Sequence, residues 1–340
     1  MRVIQVGVGG FGTSWRPALT TIPGVEVVAL VDTNPENLAE AKSFFGLPES
    51  ACFPNDALPW EQVDADAIVH STPQNFRHAH VTRALRARKH VVAVKPMSDA
   101  WETGLAMVLE AERCDRKLVI AHQMRWHPLI LKLRELVQSD ALGKVGYVHL
   151  DFFYGRDGYT GSCPQRYPLL VQGSIHHFDF LRWVLDSDAS RVWATNFNPP
   201  WISSTEIKSG YVAVDMANGV KACYRSVATR SDQCSWLCEW RIEGTDGIAE
   251  VKKDRVYLNG DEILSGYEDG ESFNNRRLPE LQKAVMQTFI DYLNGGAEPG
   301  VSGRNNLNSL ETAFGAIRSC ETGQRYELTT CCPPAVQASR

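Results

Sequence analysis

Two basic side chains, Lys95 and His176, are the best candidates for acid–base chemistry in this sequence. Lys95 follows a hydrophobic, strand-like run, His90–Val94, and precedes Pro96, which restricts the chain just after it. A lysine ammonium group at such a place can stabilise an oxygen that gains negative charge. Histidine titrates near neutral pH, so it can take a proton in one direction of a reaction and return it in the other. The pair suits the interconversion of a hydroxyl and a carbonyl group; the alternative for His176 is a structural role in the core.

Four polar residues around these candidates are predicted to contact a substrate. Gln172, four residues before His176, can hydrogen-bond a hydroxyl group but carries no charge. His177 is the rival of His176 as the base, because neighbouring helical side chains point about 100° apart and only one can face a pocket. Asp179 is predicted to orient an imidazole nitrogen or to cap the helix. Arg125 is predicted either to bind substrate or to form a structural ion pair.

A glycine-rich turn near the start of the chain predicts a dinucleotide site. The run Gly7-Val8-Gly9-Gly10-Phe11-Gly12 fits the pattern G-x-G-x-x-G and stands between a strand-like run and a helical one. Such glycines allow a tight turn, close approach of the backbone to a pyrophosphate and close helix packing. Asp32 ends the second strand, where a carboxylate binds the ribose 2′-hydroxyl and repels a 2′-phosphate. We therefore expect NAD, and not NADP, as the cofactor.

The predicted cofactor-binding residues share one kind of place, the end of a strand or the turn after it. They are Gly7, Gly9, Gly10, Phe11, Gly12, Asp32, Thr33, Ser71, Thr72, Pro73, His78 and Lys95. Of these, His78 is predicted to stand at the start of a helix near the cofactor and to have no catalytic role.

Alternating strand-like and helical runs position these residues in the N-terminal part of the chain. The clearest predicted strands are Val3–Val8, Val25–Asp32, Ala67–Ser71 and His90–Val94. Helical segments such as Asn34–Phe45, Arg77–Arg88 and Trp101–Cys114 lie between them. This alternation, with strands that are hydrophobic throughout, is typical of a doubly wound parallel sheet. We expect an α/β, Rossmann-type domain over residues 1–120.

After residue 120 the pattern changes to that of an α+β domain, predicted to cover residues 121–340. Its predicted strands are Val145–Tyr154, Arg191–Phe197, Gly210–Val214, Lys221–Ala228, Cys238–Glu243 and Ile248–Val251. Asn218-Gly219 and Asn259-Gly260 indicate tight hairpins. A last helix, about Asn306–Cys320, is expected to pack back on the first domain. The glycine-containing segment 155–167 is predicted to line the substrate pocket, with a surface loop as the alternative.

Several short motifs, taken in order, resemble those of the Gfo/Idh/MocA oxidoreductase family over nearly the whole chain. The segment 72–78 (TPQNFRH) resembles the family's T-P-N-x-x-H with one extra residue, and 89–96 (KHVVAVKP) resembles its K-H-V…E-K-P. The segments 125–128 (RWHP), 173–179 (GSIHHFD) and 244–247 (GTDG) resemble its R-F-x-P, H-x-x-D and G-T-x-G segments. Two positions differ: Val94 stands where the family has glutamate, and Gln172 where it often has aspartate.

The resemblance implies an NAD-dependent oxidoreductase that acts on a hydroxyl group of a sugar, a glycoside or a cyclitol. It implies that Lys95 hydrogen-bonds the reacting oxygen and that His176 is the general base. It also implies a C-terminal sheet that is open, mostly antiparallel and covered by helices on one face. Two other functions remain open: a redox-assisted, NAD-dependent glycosidase or lyase, and a non-catalytic sugar sensor on the same fold.

Composition and charge limit the partners and the compartment. A net charge of −5 without a long basic run argues against nucleic acid or an anionic membrane as a partner. No apolar stretch reaches the roughly 18–20 residues that span a bilayer. The nine cysteines are scattered and lack zinc-site spacing, so we expect no metal and a cytoplasmic protein with reduced thiols. The expected partners are a small polyhydroxylated molecule and a second copy of the chain. That copy would bind the exposed face of the C-terminal sheet. The strands of this sheet carry alternating apolar residues such as Val148, Leu150, Val212 and Val214, and the sequence does not decide which of them face outward.

Overall fold

The chain divides into two units, each described below by itself. The structure, a computed structural model, describes residues 1–54, 60–155, 166–230, 234–268, 271–272 and 278–329. The first unit holds Met1–Gln123 and Arg277–Asn306, and the second holds Met124–Arg276 and Leu307–Arg340.

Six parallel strands with helical connections form the first unit. The strands are β1 (Arg2–Val6), β2 (Glu26–Asp32), β3 (Cys52–Pro54), β4 (Ala67–His70), β5 (His90–Val94) and β6 (Leu118–Ala121). The helices between them are α1 (Trp15–Thr21), α2 (Pro35–Phe45), α3 (Gln74–Arg86) and α4 (Trp101–Arg113). The order in the sheet is β3-β2-β1-β4-β5-β6, and every pair is parallel. The strand order reverses between β1 and β4, which confirms the doubly wound α/β sheet and defines its ligand-binding crevice.

Local sequence explains why these elements form where they do. All residues of β4 and the last four of β5 are buried, as expected for a sheet covered on both faces. The α2 helix begins with Pro35 after Asn34, whose side chain accepts hydrogen bonds from the N–H groups of Glu36 and Asn37. It ends at Gly46, which has the left-handed conformation common after helices.

A nine-stranded sheet forms the second unit. Its strands are β7 (Val145–Tyr154), β8 (Ala189–Phe197), β9 (Ser209–Met216), β10 (Lys221–Ala228), β11 (Glu239–Gly244), β12 (Ile248–Lys252), β13 (Arg255–Leu258), β14 (Asp261–Ser265) and β17 (Tyr326–Glu327); β15 (Tyr267–Glu268) and β16 (Glu271–Ser272) form a separate pair. The order is β14-β13-β12-β11-β7-β10-β9-β8-β17. Among the described strands of this second sheet, only β7 and β10 pair in parallel. The expected mostly antiparallel sheet is confirmed. At its β13–β14 hairpin, Asn259 and Gly260 both have positive φ, as the primed turns of hairpins require.

Three helices of the second unit are α5 (Pro128–Gln138), α6 (Ile175–Leu185) and α8 (Gly303–Thr322). Most of α8 therefore lies in the second unit, and its residues 303–306 belong to the first. The helix that joins the first unit from late in the chain is α7 (Leu278–Leu293), which packs against α1. The division after Gln123 is close to the expected one after residue 120. Residues 156–165, most of the segment predicted to line the pocket, lie outside the described residues.

The two faces of the large sheet differ in burial. Val148, Leu150, Val212 and Val214, for which the sequence did not decide the face, are all at most 1% exposed and belong to the buried face. The opposite face carries Tyr147, Trp193 and Tyr211, which are each 39–43% exposed. Alternation along a strand shows which residues share a face, but not which face the helices cover. In the described part of the chain, no helix is long and apolar enough to cross a membrane.

Candidate active site

The carboxyl edge of the parallel sheet brings the N-terminal candidates into one row. His70 pairs with Ala93, and Ala93 pairs with Ile120, across strands β4, β5 and β6. Thr72, Lys95 and His122 each follow that row by two residues. Ligands of open α/β sheets bind at this edge, so the backbone places Lys95 where the sequence predicted.

The glycine-rich turn leaves no room for side chains at two of its positions. Gly7 has φ +79° and donates its N–H to the carbonyl of Val31 at 2.8 Å. A Cβ atom at Gly12 would lie 2.1 Å from the carbonyl oxygen of Gly7, and one at Gly9 would lie 2.0 Å from Nδ2 of Asn37. Around Gly10 a Cβ atom would meet no atom within 4 Å, so space is open there. Gly7 and Gly12 therefore fit the predicted tight turn and close helix packing, and the approach of the backbone to a pyrophosphate at Gly9 stays a prediction.

Asp32 ends β2 beside this turn and is half-buried. Its Oδ2 atom accepts hydrogen bonds from the N–H groups of Val8 at 2.8 Å and Gly9 at 3.1 Å. Its Oδ1 atom accepts from the N–H of Asn34 at 2.9 Å. An ionised carboxylate has about four acceptor sites, so a further bond to a ribose hydroxyl remains compatible with these three. Asp32 therefore supports the glycine-rich turn in addition to its predicted role.

The other predicted cofactor residues lie on the same edge. Phe11 is 42% exposed in a short 3₁₀ turn, Gly10–Ser14, and Thr33 is exposed just after β2. Ser71 and Thr72 are half-buried after β4, and Pro73 precedes α3.

Gln74, the first residue of α3, was not among the predicted site residues. Its side chain is 1% exposed, and neither of its amide polar atoms has a hydrogen-bond partner among the described residues. A buried amide without partners is costly, so it indicates a polar ligand at this edge. The hydroxyl and amide groups of NAD would provide such partners. The glycine turn, Asp32 and Gln74 together fit this cofactor.

Lys95 is half-buried at the end of β5. Burial, and secondarily the positive charge of Arg77, lower the pKa of its ammonium group to about 8. A lysine that titrates this close to neutral pH can change its proton occupancy during a reaction, which a solvated lysine does rarely. This supports the prediction that Lys95 takes part in the chemistry.

Arg77, and not His78, is the buried basic residue of the segment after β4. The α3 helix begins at Gln74, three residues earlier than predicted, so His78 is not at the helix start. Arg77 is 1% exposed and donates hydrogen bonds to the carbonyl oxygens of Thr72, at 2.6 Å, and of Pro96. The resemblance contained the signal: if T-P-N-x-x-H is counted without an extra residue, its histidine position falls on Arg77.

In the second unit, the motif with His176 begins with a single turn of π-helix. Leu169–Gly173 forms this turn, and α6 follows it at Ile175. Such turns are rare and occur often at functional sites. Gln172 is 1% exposed and His176 is 6% exposed, with the rings of Phe180 and Trp236 about 6 Å from the imidazole.

His177 has a structural role in the core, the alternative that the sequence left open for a histidine of this motif. It is fully buried, with Nε2 at 3.1 Å from the carbonyl oxygen of Trp236 and Nδ1 at 2.9 Å from the hydroxyl of Tyr224. Because a carbonyl only accepts, Nε2 must donate, and a neutral ring then accepts from Tyr224 at Nδ1. Both ring nitrogens bond to the protein, which corrects the prediction that His177 binds substrate. His176 remains the candidate base.

Arg125 and Asp179 form a buried, two-pronged ion pair with each other. Nε and Nη2 of Arg125 donate to the two carboxylate oxygens, both at 2.6 Å. Oδ1 of Asp179 also accepts from the hydroxyl of Ser309 at 3.0 Å. The structural alternative for Arg125 is therefore the one observed. Asp179 lies inside α6 and pairs with Arg125, so the prediction that it caps the helix is wrong.

Metal ligation gives no further site in the described residues. There, no group of three or more histidine, cysteine, aspartate or glutamate side chains could hold a metal ion.

Comparison with known proteins assigns the fold and site to a family. Residues 1–122 match the domain described as "Oxidoreductase family, NAD-binding Rossmann fold", and residues 134–328 match its C-terminal alpha/beta domain. The chain therefore belongs to the Gfo/Idh/MocA oxidoreductase family, as the motifs suggested, and is an NAD-dependent oxidoreductase.

Several relatives are distant in sequence but match over nearly their whole length. A myo-inositol 2-dehydrogenase of Thermotoga maritima is 24% identical over 96% of this chain and 98% of its own. Two solved structures share the fold. An oxidoreductase from Agrobacterium radiobacter, in complex with NAD+, L-tartaric acid and magnesium, has a TM-score of 0.85, 20% identity and coverage of 96% and 98%. A scyllo-inositol dehydrogenase from Lactobacillus casei, with NAD(H) and scyllo-inositol, has a TM-score of 0.79, 19% identity and the same coverage.

Proposed function

We propose that this protein oxidises one hydroxyl-bearing carbon of a sugar, a glycoside or a cyclitol with NAD, or reduces the corresponding carbonyl. The observation that carries the proposal is Lys95, half-buried at the carboxyl end of β5 with a pKa lowered to about 8. The glycine-rich turn and Asp32 lie on the same edge of the same sheet. A titratable donor on the cofactor edge suits a reaction in which an oxygen changes charge.

The roles of the residues follow from what the reaction requires. When bound, NAD accepts a hydride from the carbinol carbon, and the hydroxyl proton must go to a base. We assign the proton to His176 and the stabilisation of the oxygen to the Lys95 ammonium group. Gln172 is assigned a hydrogen bond to a substrate hydroxyl. The substitution of glutamine for the family's frequent aspartate removes a negative charge that would raise a nearby histidine pKa.

The substrate class is proposed from the relatives together with these polar groups. The related proteins include one named myo-inositol 2-dehydrogenase and one crystallised with scyllo-inositol. A substrate with several hydroxyl groups suits a hydrogen-bond donor such as the Lys95 ammonium group.

The test is a panel of inositols, aldoses and glycosides with NAD, read as the absorbance of NADH. Lys95→Met serves as the matched inactive control. Turnover of at least one compound by the wild-type protein, and its loss in the variant, is the expected result. Ligand binding without any NADH would contradict the proposal and favour a sugar sensor. Release of a glycoside's leaving group without net NADH would instead favour the redox-assisted glycosidase.

A further inference from the structure

The turns that follow β4 and β5 are joined by one buried side chain that the proposed reaction does not yet use. Arg77, in the second turn of α3, directs its guanidinium group to the carbonyl oxygens of Thr72 and Pro96. Thr72 belongs to the predicted cofactor turn, and Pro96 directly follows Lys95. One group therefore holds the backbone of both turns, which follow neighbouring strands of the sheet.

We propose that Arg77 is a positioning residue for Lys95, fixing the turn on which Lys95 stands and setting the charge around its ammonium group. The planar guanidinium group can donate to two acceptors at once in a fixed geometry, whereas an ammonium group cannot reproduce that fork. Arg77 is 1% exposed, so little water screens its charge. The inference rests on the proposed role of Lys95 in the reaction.

The residue before Lys95 also makes the surroundings of its ammonium group less negative than in the family. The family motif has glutamate directly before this lysine, and this chain has Val94, a buried and neutral residue. The carboxylate is lost and Arg77 adds a cation, so both differences favour the neutral form of Lys95. Burial, the larger cause, and the positive charge of Arg77 lower the pKa of Lys95 to about 8.

Other titratable groups at this edge do not explain the shift. His70 on β4 is hydrogen-bonded to His80 of α3, and burial together with Arg77 lowers the pKa of His70 well below its usual value, so it is neutral near pH 7. His122 follows β6 and is fully buried, and Asp99 is an exposed carboxylate further along the turn after Pro96. The positive charge of Arg77 does lower the pKa of Lys95, as the second cause after burial.

Two variants separate the charge of Arg77 from its geometry. Arg77→Gln removes the charge, and Arg77→Lys keeps the charge but loses the fork. Arg86→Gln is the control, because Arg86 is an exposed residue of the same helix that pairs with Glu110. The first measurement is the pH dependence of Lys95 acetylation in the cofactor-free protein, followed by peptide mass spectrometry. The second is kcat and KM on whichever substrate the panel identifies.

The expected acetylation midpoint is about 8 in the wild type and in Arg77→Lys, and about one unit higher in Arg77→Gln. We expect kcat to fall at least about tenfold in both variants, because the reacting group is misplaced, and to stay unchanged in Arg86→Gln. A wild-type midpoint near the ordinary lysine value of about 10.4 would overturn the proposal whether or not the variants fold. An unmoved midpoint in folded Arg77→Gln, or normal kcat in Arg77→Lys, would also overturn it. The acetylation measurement needs no substrate, so it tests the role of Arg77 even if no sugar is turned over. Failure of this proposal can therefore be distinguished from failure of the proposed function.

Discussion

Asp32 supports the glycine-rich turn and is also predicted to bind the ribose, and this changes how its substitution should be tested. Its carboxylate holds the backbone of the glycine-rich turn, so loss of that support weakens any dinucleotide. Only loss of the ribose hydrogen bond alters the preference between NAD and NADP. Hydrogen bonds to charged groups contribute about 1.5–3 kcal/mol, which corresponds to about tenfold or more in affinity.

We therefore expect Asp32→Ser to lower the ratio of the NADP and NAD dissociation constants by about tenfold or more. The measurement is isothermal titration of both dinucleotides. Asp66→Ser is the control, because Asp66 accepts the N–H of Arg2 just before β4, at the other edge of the sheet. A variant that binds both dinucleotides more weakly with an unchanged ratio would show that Asp32 only supports the turn.

Lys95 gives a prediction with a definite sign in pH. If its ammonium group stabilises the reacting oxygen, the protonated form is active, and kcat/KM falls as pH rises through about 8. Lys95→Met should lower kcat by about a hundredfold with NAD affinity nearly intact. Lys95→Arg keeps its charge to higher pH, so any remaining activity should lose this basic limb. A rise of kcat/KM through pH 8 would instead mean that the neutral amine takes the proton.

The residues of the candidate site were predictable where the backbone sets their position. Lys95, Asp32 and the glycines follow from strand ends and a turn, and both are visible in the sequence. His177 and Arg125 were not decidable, because only tertiary contacts show whether a polar side chain is already satisfied. The correction from His78 to Arg77 depends on where α3 begins, and one helical position rotates a side chain by about 100°.

At the scale of elements, one ion pair joins three parts of the second unit. Arg125 lies in the 3₁₀ turn before α5, Asp179 in α6 and Ser309 in α8. Both charges are almost fully buried, and Oδ1 of Asp179 also lies 4.0 Å from Nη1 of Arg182. Arg125 is the nearer cation, so Asp179 depends mainly on Arg125 for compensation. Removal of one member of such a pair costs more than replacement of both, because a single buried charge is left.

We expect Arg125→Met to lower the free energy of unfolding by about 3–5 kcal/mol, measured with urea. The double variant Arg125→Met, Asp179→Leu should recover most of that loss. Lys132→Met is the control, because the Lys132–Glu135 pair is partly exposed and should contribute less than about 1 kcal/mol. Unchanged stability of Arg125→Met, together with a raised KM, would restore the substrate-binding interpretation of Arg125.

The order of the helices and strands could be predicted well from the sequence. Which face of each strand is buried could not. Strands β5, β7 and β10 have the predicted bounds, because runs of Val, Ile and aromatic residues between turn residues are strong local signals. Because side chains alternate along a strand, Val148 and Leu150 must lie on the same face of the sheet. The alternation does not say which of the two faces that is. Only the packing of α6 and α8 on the sheet decides which group is buried, and the sequence contains no local signal for it.

At the scale of the whole molecule, the exposed face of the large sheet supports the prediction of a homo-oligomer. Trp193 on β8 and Tyr211 on β9 lie on this face, and Tyr211 packs against Phe197. Beside them, on β7 and β10, Asp151 pairs with Arg225. Half-exposed aromatic rings beside paired charges are typical of interfaces, where tryptophan, tyrosine and arginine are enriched.

We expect the wild-type protein to have at least twice the mass of one chain at micromolar concentration, measured by size exclusion with light scattering. Trp193→Asp with Tyr211→Asp should reduce it to one chain, because each change would place an unpaired charge in a desolvated interface. Phe44→Asp is the control: Phe44 is 50% exposed on α2, in the first unit, so its variant should keep the larger mass. A wild-type protein with the mass of one chain would contradict the prediction. A Phe44 variant that dissociates while the double variant does not would move the interface to the first unit, since an interface is weakened only where the new charge is buried.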